Sequence, residues 1–187
     1  MANEHDQGNR IRLEPFHIRD TDQLAAWSTT PEFLLQWAGS KFEFPLTRRQ
    51  MRSHMRRTKT SPPTAFMFSA VSEQTGEHVG NGEIGAINYV NNSATLQRIL
   101  VGVESDRGKG IGGQIIRGLL RVGFERLNLH RIDLYVFDFN AAAIRCYQRQ
   151  GFQIEGTLRD ARKSGDEYWS LHQMSVLRPE WEERVGQ

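Results

Sequence analysis

Ile99-Leu100-Val101-Gly102-Val103-Glu104-Ser105-Asp106-Arg107-Gly108-Lys109-Gly110-Ile111-Gly112-Gly113 is the stretch whose reading decides the fold. It opens as an apolar run of strand length and turns through a polar, glycine-rich loop. It then continues from Gln114 to Arg126 with Ile111, Ile115, Leu119, Val122 and Leu127 at helix-like spacing. Gly108, Gly110, Gly112 and Gly113 crowd the point where the helix should start. Glycine lets backbone approach a ligand closely, the first helical N–H groups have no intrahelical partner, and the helix dipole places its positive end there. Arg107 and Lys109 add charge. Residues 107–113 therefore read as a site for a phosphate-bearing ligand, with a ligand-free strand-to-helix turn as the alternative.

Three phosphate loops compete. The P-loop requires Gly-Lys followed by Ser or Thr, which is absent here. A G-x-G-x-x-G pattern exists as Gly108, Gly110 and Gly113, but Glu104-Ser105-Asp106-Arg107 separates it from the strand and too little chain follows for a two-half dinucleotide sheet. The third is Arg-x-x-Gly-x-Gly, on Arg107, Gly110 and Gly112. It resembles the acetyl-CoA pyrophosphate loop of the GNAT superfamily of N-acetyltransferases. That resemblance implies backbone N–H groups of Gly108, Lys109, Gly110, Ile111, Gly112 and Gly113 around the pyrophosphate.

A second stretch supports the third option. Asn140-Ala141-Ala142-Ala143-Ile144-Arg145-Cys146-Tyr147-Gln148-Arg149-Gln150-Gly151-Phe152 reads as a helix with a favoured N-cap in Asn140 and a favoured stop in Gly151. It resembles the other GNAT signature, Asn-x-x-Ala-x-x-x-Tyr-x-x-x-Gly-Phe. The two motifs stand in the family's order with a strand pattern between them. Leu127 to Arg131, Glu155 to Ala161 and Met174 to Trp181 are further similar to the branch holding ribosomal-protein N-terminal acetyltransferases and polyamine acetyltransferases.

Working outward, the order β-α-α-α-β-β-β-α-β-α-β-β emerges from strand patterns at 10–16, 64–71, 79–90, 95–102, 131–137, 152–160 and 167–177 and helix patterns at 20–27, 31–37, 47–58, 110–126 and 141–150. The fold class is α/β, a mixed α+β sheet with helices on both faces. The resemblance implies a GNAT-like single domain whose mostly antiparallel sheet is splayed at the cofactor strand. Residues 1–9 read as a disordered lead, 10–181 as the domain and 182–187 as a tail.

Composition excludes several classes. The 187 residues are 38% hydrophobic and 25% charged, with no apolar run long enough to span a membrane. The polar start lacks a signal peptide's apolar core, and a single cysteine, Cys146, suits a reducing compartment, so a cytoplasmic enzyme is expected. A net charge of +2 argues against nucleic acid, though the 47–59 helix carries Arg48, Arg49, Arg52, Arg56, Arg57 and Lys59. That helix reads first as a solvated face and second as an electropositive rim for an acidic partner. Met51 and Met55, four apart, should face the core. The six histidines show no metal spacing, so no metal is expected.

Acetyl transfer from a thioester requires a deprotonated amine, a stabilised oxyanion and a protonated leaving thiolate. The resemblance implies oxyanion donors on the backbone around Leu100, Val101, Gly102 and Val103, with Gly102 splaying the strand to admit pantetheine; Gly102 merely ending a strand is the alternative. Tyr147 is the expected general acid, since a phenol with pKa near ~10 is protonated at neutral pH. Asn140 caps its helix and, by resemblance, contacts pantetheine. Relatives often carry a mid-strand glutamate where Tyr135 stands, and an aspartate where Ser170 stands. Asp133 and Glu83 are therefore the candidate bases. The expected acceptor is a primary amine, with a protein N-terminus as first reading. A small amine (polyamine, amino acid or antibiotic) and a non-catalytic acyl-CoA sensor are the alternatives; a homodimer is compatible with this reading, and no membrane partner is expected.

Overall fold

The computed structural model describes residues 10–186. Seven strands form one sheet in the order β1 (Ile11–Pro15), β2 (Phe66–Ser72), β3 (His78–Asn88), β4 (Ser93–Val101), β5 (Arg131–Phe137), β7 (Glu167–Leu177), β6 (Gln153–Ser164). All neighbours are antiparallel except β4 and β5, which run parallel. One face carries α1 (Thr21–Trp27), α2 (Pro31–Ala38) and α3 (Arg48–Met55), whose core joins Leu24, Leu34 and Met51 to Met67 and Leu100 of the sheet. The other carries α4 (Ile111–Arg121) and α5 (Ala141–Arg149), over Ile84, Leu96, Ile132, Leu134 and Val176. Helices thus cover both faces of a mixed sheet, as the sequence pattern predicts.

The amphipathic stripe of α4 explains its seating. Ile111, Ile115, Ile116, Leu119 and Leu120 are buried together. Val122 and Leu127, assigned to the same stripe, are only partly buried, because a π turn over Val122–Arg126 rotates the chain and drives Phe124 into the core instead. Opposite α4, glycines interrupt β3 for a packing reason. A Cβ on Gly82 would stand 2.7 Å from Leu119 Cδ1, and one on Gly80 would stand 2.5 Å from the Leu100 carbonyl.

The chain ends in a helix that the sequence reading left out, α6 (Arg178–Val185). It crosses the boundary expected at 181/182. Glu180 accepts from the Leu177 N–H at 2.8 Å, and the Trp181 ring packs 5.3 Å from Phe124, so part of the expected tail is anchored structure. The lead expected over 1–9 lies outside the described residues. Among the described residues no helix is long and apolar enough to cross a membrane.

Candidate active site

The strand–loop–helix unit forms as its sequence suggests. β4 ends at Val101, a short turn follows, and α4 begins at Ile111 with Gly110 as N-cap in the left-handed region, φ +85°. Gly108 is left-handed too, at φ +82°, and nothing stands within 4 Å of where either Cβ would be. Only glycine adopts this path without strain, and the space over it is open. The first helical bond runs from Gln114 N–H to the Gly110 carbonyl, which leaves the Ile111, Gly112 and Gly113 N–H groups without intrahelical partners. A diphosphate fits such a cradle. Two details differ from expectation. The Lys109 N–H turns inward to the Asp106 carbonyl at 3.4 Å, so it leaves the cradle. The two cations are also partly neutralised locally: Lys109 Nζ lies 3.1 Å from Asp106, while the Arg107 guanidinium lies 5.5 Å over the Phe33 ring and 3.9 Å from Glu104. The phosphate-binding character therefore rests on the backbone more than on these side chains.

Next to the loop the sheet splits. β4 and β5 pair only from Ser93–Arg131 to Leu96–Leu134, although both strands run on. The split begins at a bulge in β4, where the β3 register jumps between Asn81 and Glu83 and Arg98 takes φ +52°. Gly102 is not its cause, contrary to expectation. Gly102 donates to the Val79 carbonyl at 2.9 Å and lies beneath Trp27, whose ring would be 2.1 Å from an added Cβ. Gly102 is thus a docking point for α1. Because its N–H points to β3, strand alternation turns the Leu100 N–H the same way and the Val101 N–H towards the split. Of the stretch 100–103, only Val101 offers a backbone donor there. Leu100 is buried in the α1–α3 core, and Val103 is an exposed residue beyond the strand.

α5 flanks the α4 side. Asn140 Oδ1 accepts from the Ala143 N–H at 3.2 Å, so the cap is real. Two turns on, Tyr147 packs edge-on to Phe152 at 5.9 Å and is half-buried, with no hydrogen bond to its hydroxyl among the described residues. Burial pushes its phenol pKa up. The group is therefore a proton donor that stays loaded. Cys146 is half-buried beside Gly112, and burial raises its thiol pKa, so it is no nucleophile.

On the opposite face a cleft of about 300 Å³ opens at the split, between the α2 end and β4, β5 and β7. Thr95, Gln97 and Arg98 of β4 line it, with Tyr135 and Phe137 of β5. Behind it lies a buried cluster that the sequence did not reveal. Glu83, fully buried, meets His54 Nε2 at 2.7 Å, Arg98 Nη1 at 3.2 Å and the Arg57 guanidinium. His54 and Arg57 come from the basic helix and the single turn after it, so that segment is only partly a solvated face. Burial opposes the charge on Glu83, but its three donors outweigh it and hold the carboxyl below its usual range. Glu83, expected as a base, is fully buried with both carboxyl oxygens engaged by these donors, which favours an anchoring role. Asp133 is different. It sits opposite Thr95 in the last paired part of β5, burial raises its pKa, and its Oδ1 is buried without a partner. Among the described residues no group of metal-ligating side chains exists.

Known proteins are similar to this chain in sequence and fold. A family model described as an acetyltransferase (GNAT) domain matches residues 10–153. An uncharacterised N-acetyltransferase of Bacillus licheniformis is 27% identical over 175 residues, covering 92% of this chain and 95% of its own. The spermidine N(1)-acetyltransferase of Vibrio cholerae is 32% identical over 103 residues, covering 55% of this chain and 58% of that one, little more than half its length. The crystal structure of the Vibrio cholerae spermidine N-acetyltransferase with CoA and spermine superposes with a TM-score of 0.79 at 23% identity, over 91% of this chain and 97% of that one.

Proposed function

The chain belongs to the GNAT acetyltransferase family and is an acetyl-CoA-dependent N-acetyltransferase; from that premise we propose that its acceptor is a small-molecule primary amine. The observation that carries this reading is the cleft of about 300 Å³ on the far side of the split from the phosphate cradle. That size is at the lower end of small-ligand sites. Relatives named spermidine acetyltransferases also support a small amine over the protein N-terminus that the sequence suggested first.

The cosubstrate supplies an activated acetyl thioester. The α4 N-terminus holds the diphosphate, and the split between β4 and β5 gives the pantetheine arm a way through the sheet. The Val101 N–H faces the carbonyl oxygen, where charge develops as the C–N bond forms. Tyr147 holds the proton that the departing thiolate takes as the C–S bond breaks. Asp133 accepts the amine proton through a water held at its unpartnered Oδ1, and so takes the base role in place of Glu83.

CoA release followed with a thiol reagent, across small amines and peptides with free N-termini, tests the reading. Turnover of small amines with little or none of peptides is expected; the reverse preference overturns it.

A further inference from the structure

The charge around the cleft is unbalanced. Among the described residues Glu83 is the sole carboxylate in contact with the guanidiniums of Arg57 and Arg98. His54 does not alter the sum, because burial keeps its imidazole neutral near pH 7. One positive charge is therefore left over. Arg57 meets solvent with 29% of its side chain exposed, whereas Arg98 lines the cleft with 10% exposed and its Nε buried without a partner. Its Nη1 is committed to Glu83 and to Gln97 Oε1 at 2.7 Å, and its guanidinium lies 5.5 Å over the Phe42 ring. A buried, under-compensated cation is costly unless a ligand completes it. At the rim stand Lys41, from the turn after α2, and Arg162, from β6. No aspartate or glutamate is among the described residues lining the cleft.

We propose that the acceptor is a primary amine that also carries a carboxylate, and that Arg98, with Lys41 and Arg162 at the rim, holds that carboxylate while the amine enters the split. The inference rests on the small-amine reading above. The planar guanidinium matches a carboxylate in geometry, and a single negative charge matches the excess. A phosphate dianion would overshoot it. A polyamine such as spermidine would bring further cations to a wall that holds no acid. Here the chain parts from the spermidine acetyltransferases it is similar to.

Steady-state rates for each common amino acid, set beside the amine left by its decarboxylation, give the direct test. O-Phosphoethanolamine and spermidine complete the panel. Loss of a charge-assisted contact predicts that the preferred amino acid exceeds its decarboxylated partner in kcat/KM by about 10- to 100-fold. Lys41→Gln with Arg162→Gln, both at exposed rim positions, should raise KM for that amino acid more than they lower kcat, with CoA affinity unaltered. Equal rates within each pair, or a preference for spermidine, overturn the carboxylate while leaving the small-amine reading intact. A preference for O-phosphoethanolamine replaces carboxylate by phosphate. Turnover of no small amine by protein that still binds CoA overturns both readings together.

Discussion

The two sides of the split between β4 and β5 are built from different materials. On the α4 side the contacts are backbone: N–H groups at a helix start, freed by two left-handed glycines. On the α2 side they are side-chain charges, buried and pinned by one carboxylate. A backbone cradle needs a short contiguous sequence and tolerates many side chains nearby. A buried charge needs partners from distant segments, and each must be present for the others to be tolerated. The first arrangement suits a ligand part common to every turnover; the second suits selection of the variable one.

The contrast can be broken at several points. Tyr147→Phe should have the largest effect. Removing a positioned acid lowers kcat by ~10²- to 10⁴-fold, and the retained ring should leave acetyl-CoA affinity nearly intact. Rapid-mix kinetics with separate CoA titration checks this, and an equal loss of CoA affinity would make Tyr147 a binding residue. The same phenol gives a pH prediction. Its pKa is raised above the ordinary 10.0, so the donor stays protonated and kcat should show no falling limb from this group up to pH 10.

Glu83→Gln comes next. It leaves the nearly buried Arg98 and the partly exposed Arg57 without their carboxylate, and breaking a buried pair costs about 3–5 kcal/mol. Denaturant melts should show that loss, with CoA affinity of the remaining folded protein preserved. If CoA binding collapses first, the two sides are not separate devices. Gly110→Val, on the other side, should cost roughly 1–2 kcal/mol of backbone strain at φ +85°, about tenfold or more in CoA affinity by calorimetry. Smallest should be Arg52→Glu with Arg56→Glu, exposed on α3 and on the turn after it, expected within about 0.5 kcal/mol in stability and without effect on KM for a small amine. A large KM change there would extend the acceptor site onto the basic helix.

The same division governs how much could be read in advance. The glycine loop and α5 lie in two unbroken motifs, so the turn at Gly110 and the helix cap at Asn140 were legible in the sequence. The acceptor side was not. Lys41, His54, Arg57, Glu83, Arg98 and Arg162 come from five separate segments, and beyond the neighbouring His54 and Arg57 no spacing joins them. One signal did exist: Gln97-Arg98 interrupts an otherwise apolar strand between Leu96 and Ile99. The bulge that turns Arg98 inward needs the β3 partner to become visible, because one extra residue in a strand is defined only by register. The α6 helix escaped for another reason: it is short and mostly polar, and its anchors are tertiary contacts of Arg178, Glu180, Trp181 and Arg184 that no sequence periodicity marks.

The β6 strand has a consequence for motion. Its first half is tied down by Arg131, which donates to Glu155 Oε1 at 2.6 Å, and by Ser175, which donates to the same carboxylate at 2.8 Å. Its second half is an edge with little buried area, and its register against β7 jumps between Leu158 and Arg162. Exposed edges with few apolar contacts have the smallest free energies of local opening. Amides 159–164 should therefore be among the first to exchange with deuterium. Arg162 rides on that segment, so one wall of the cleft yields while the wall holding Arg98 stays rigid. Acceptors of different length can then share a fixed carboxylate position, the slack being taken up by the hairpin.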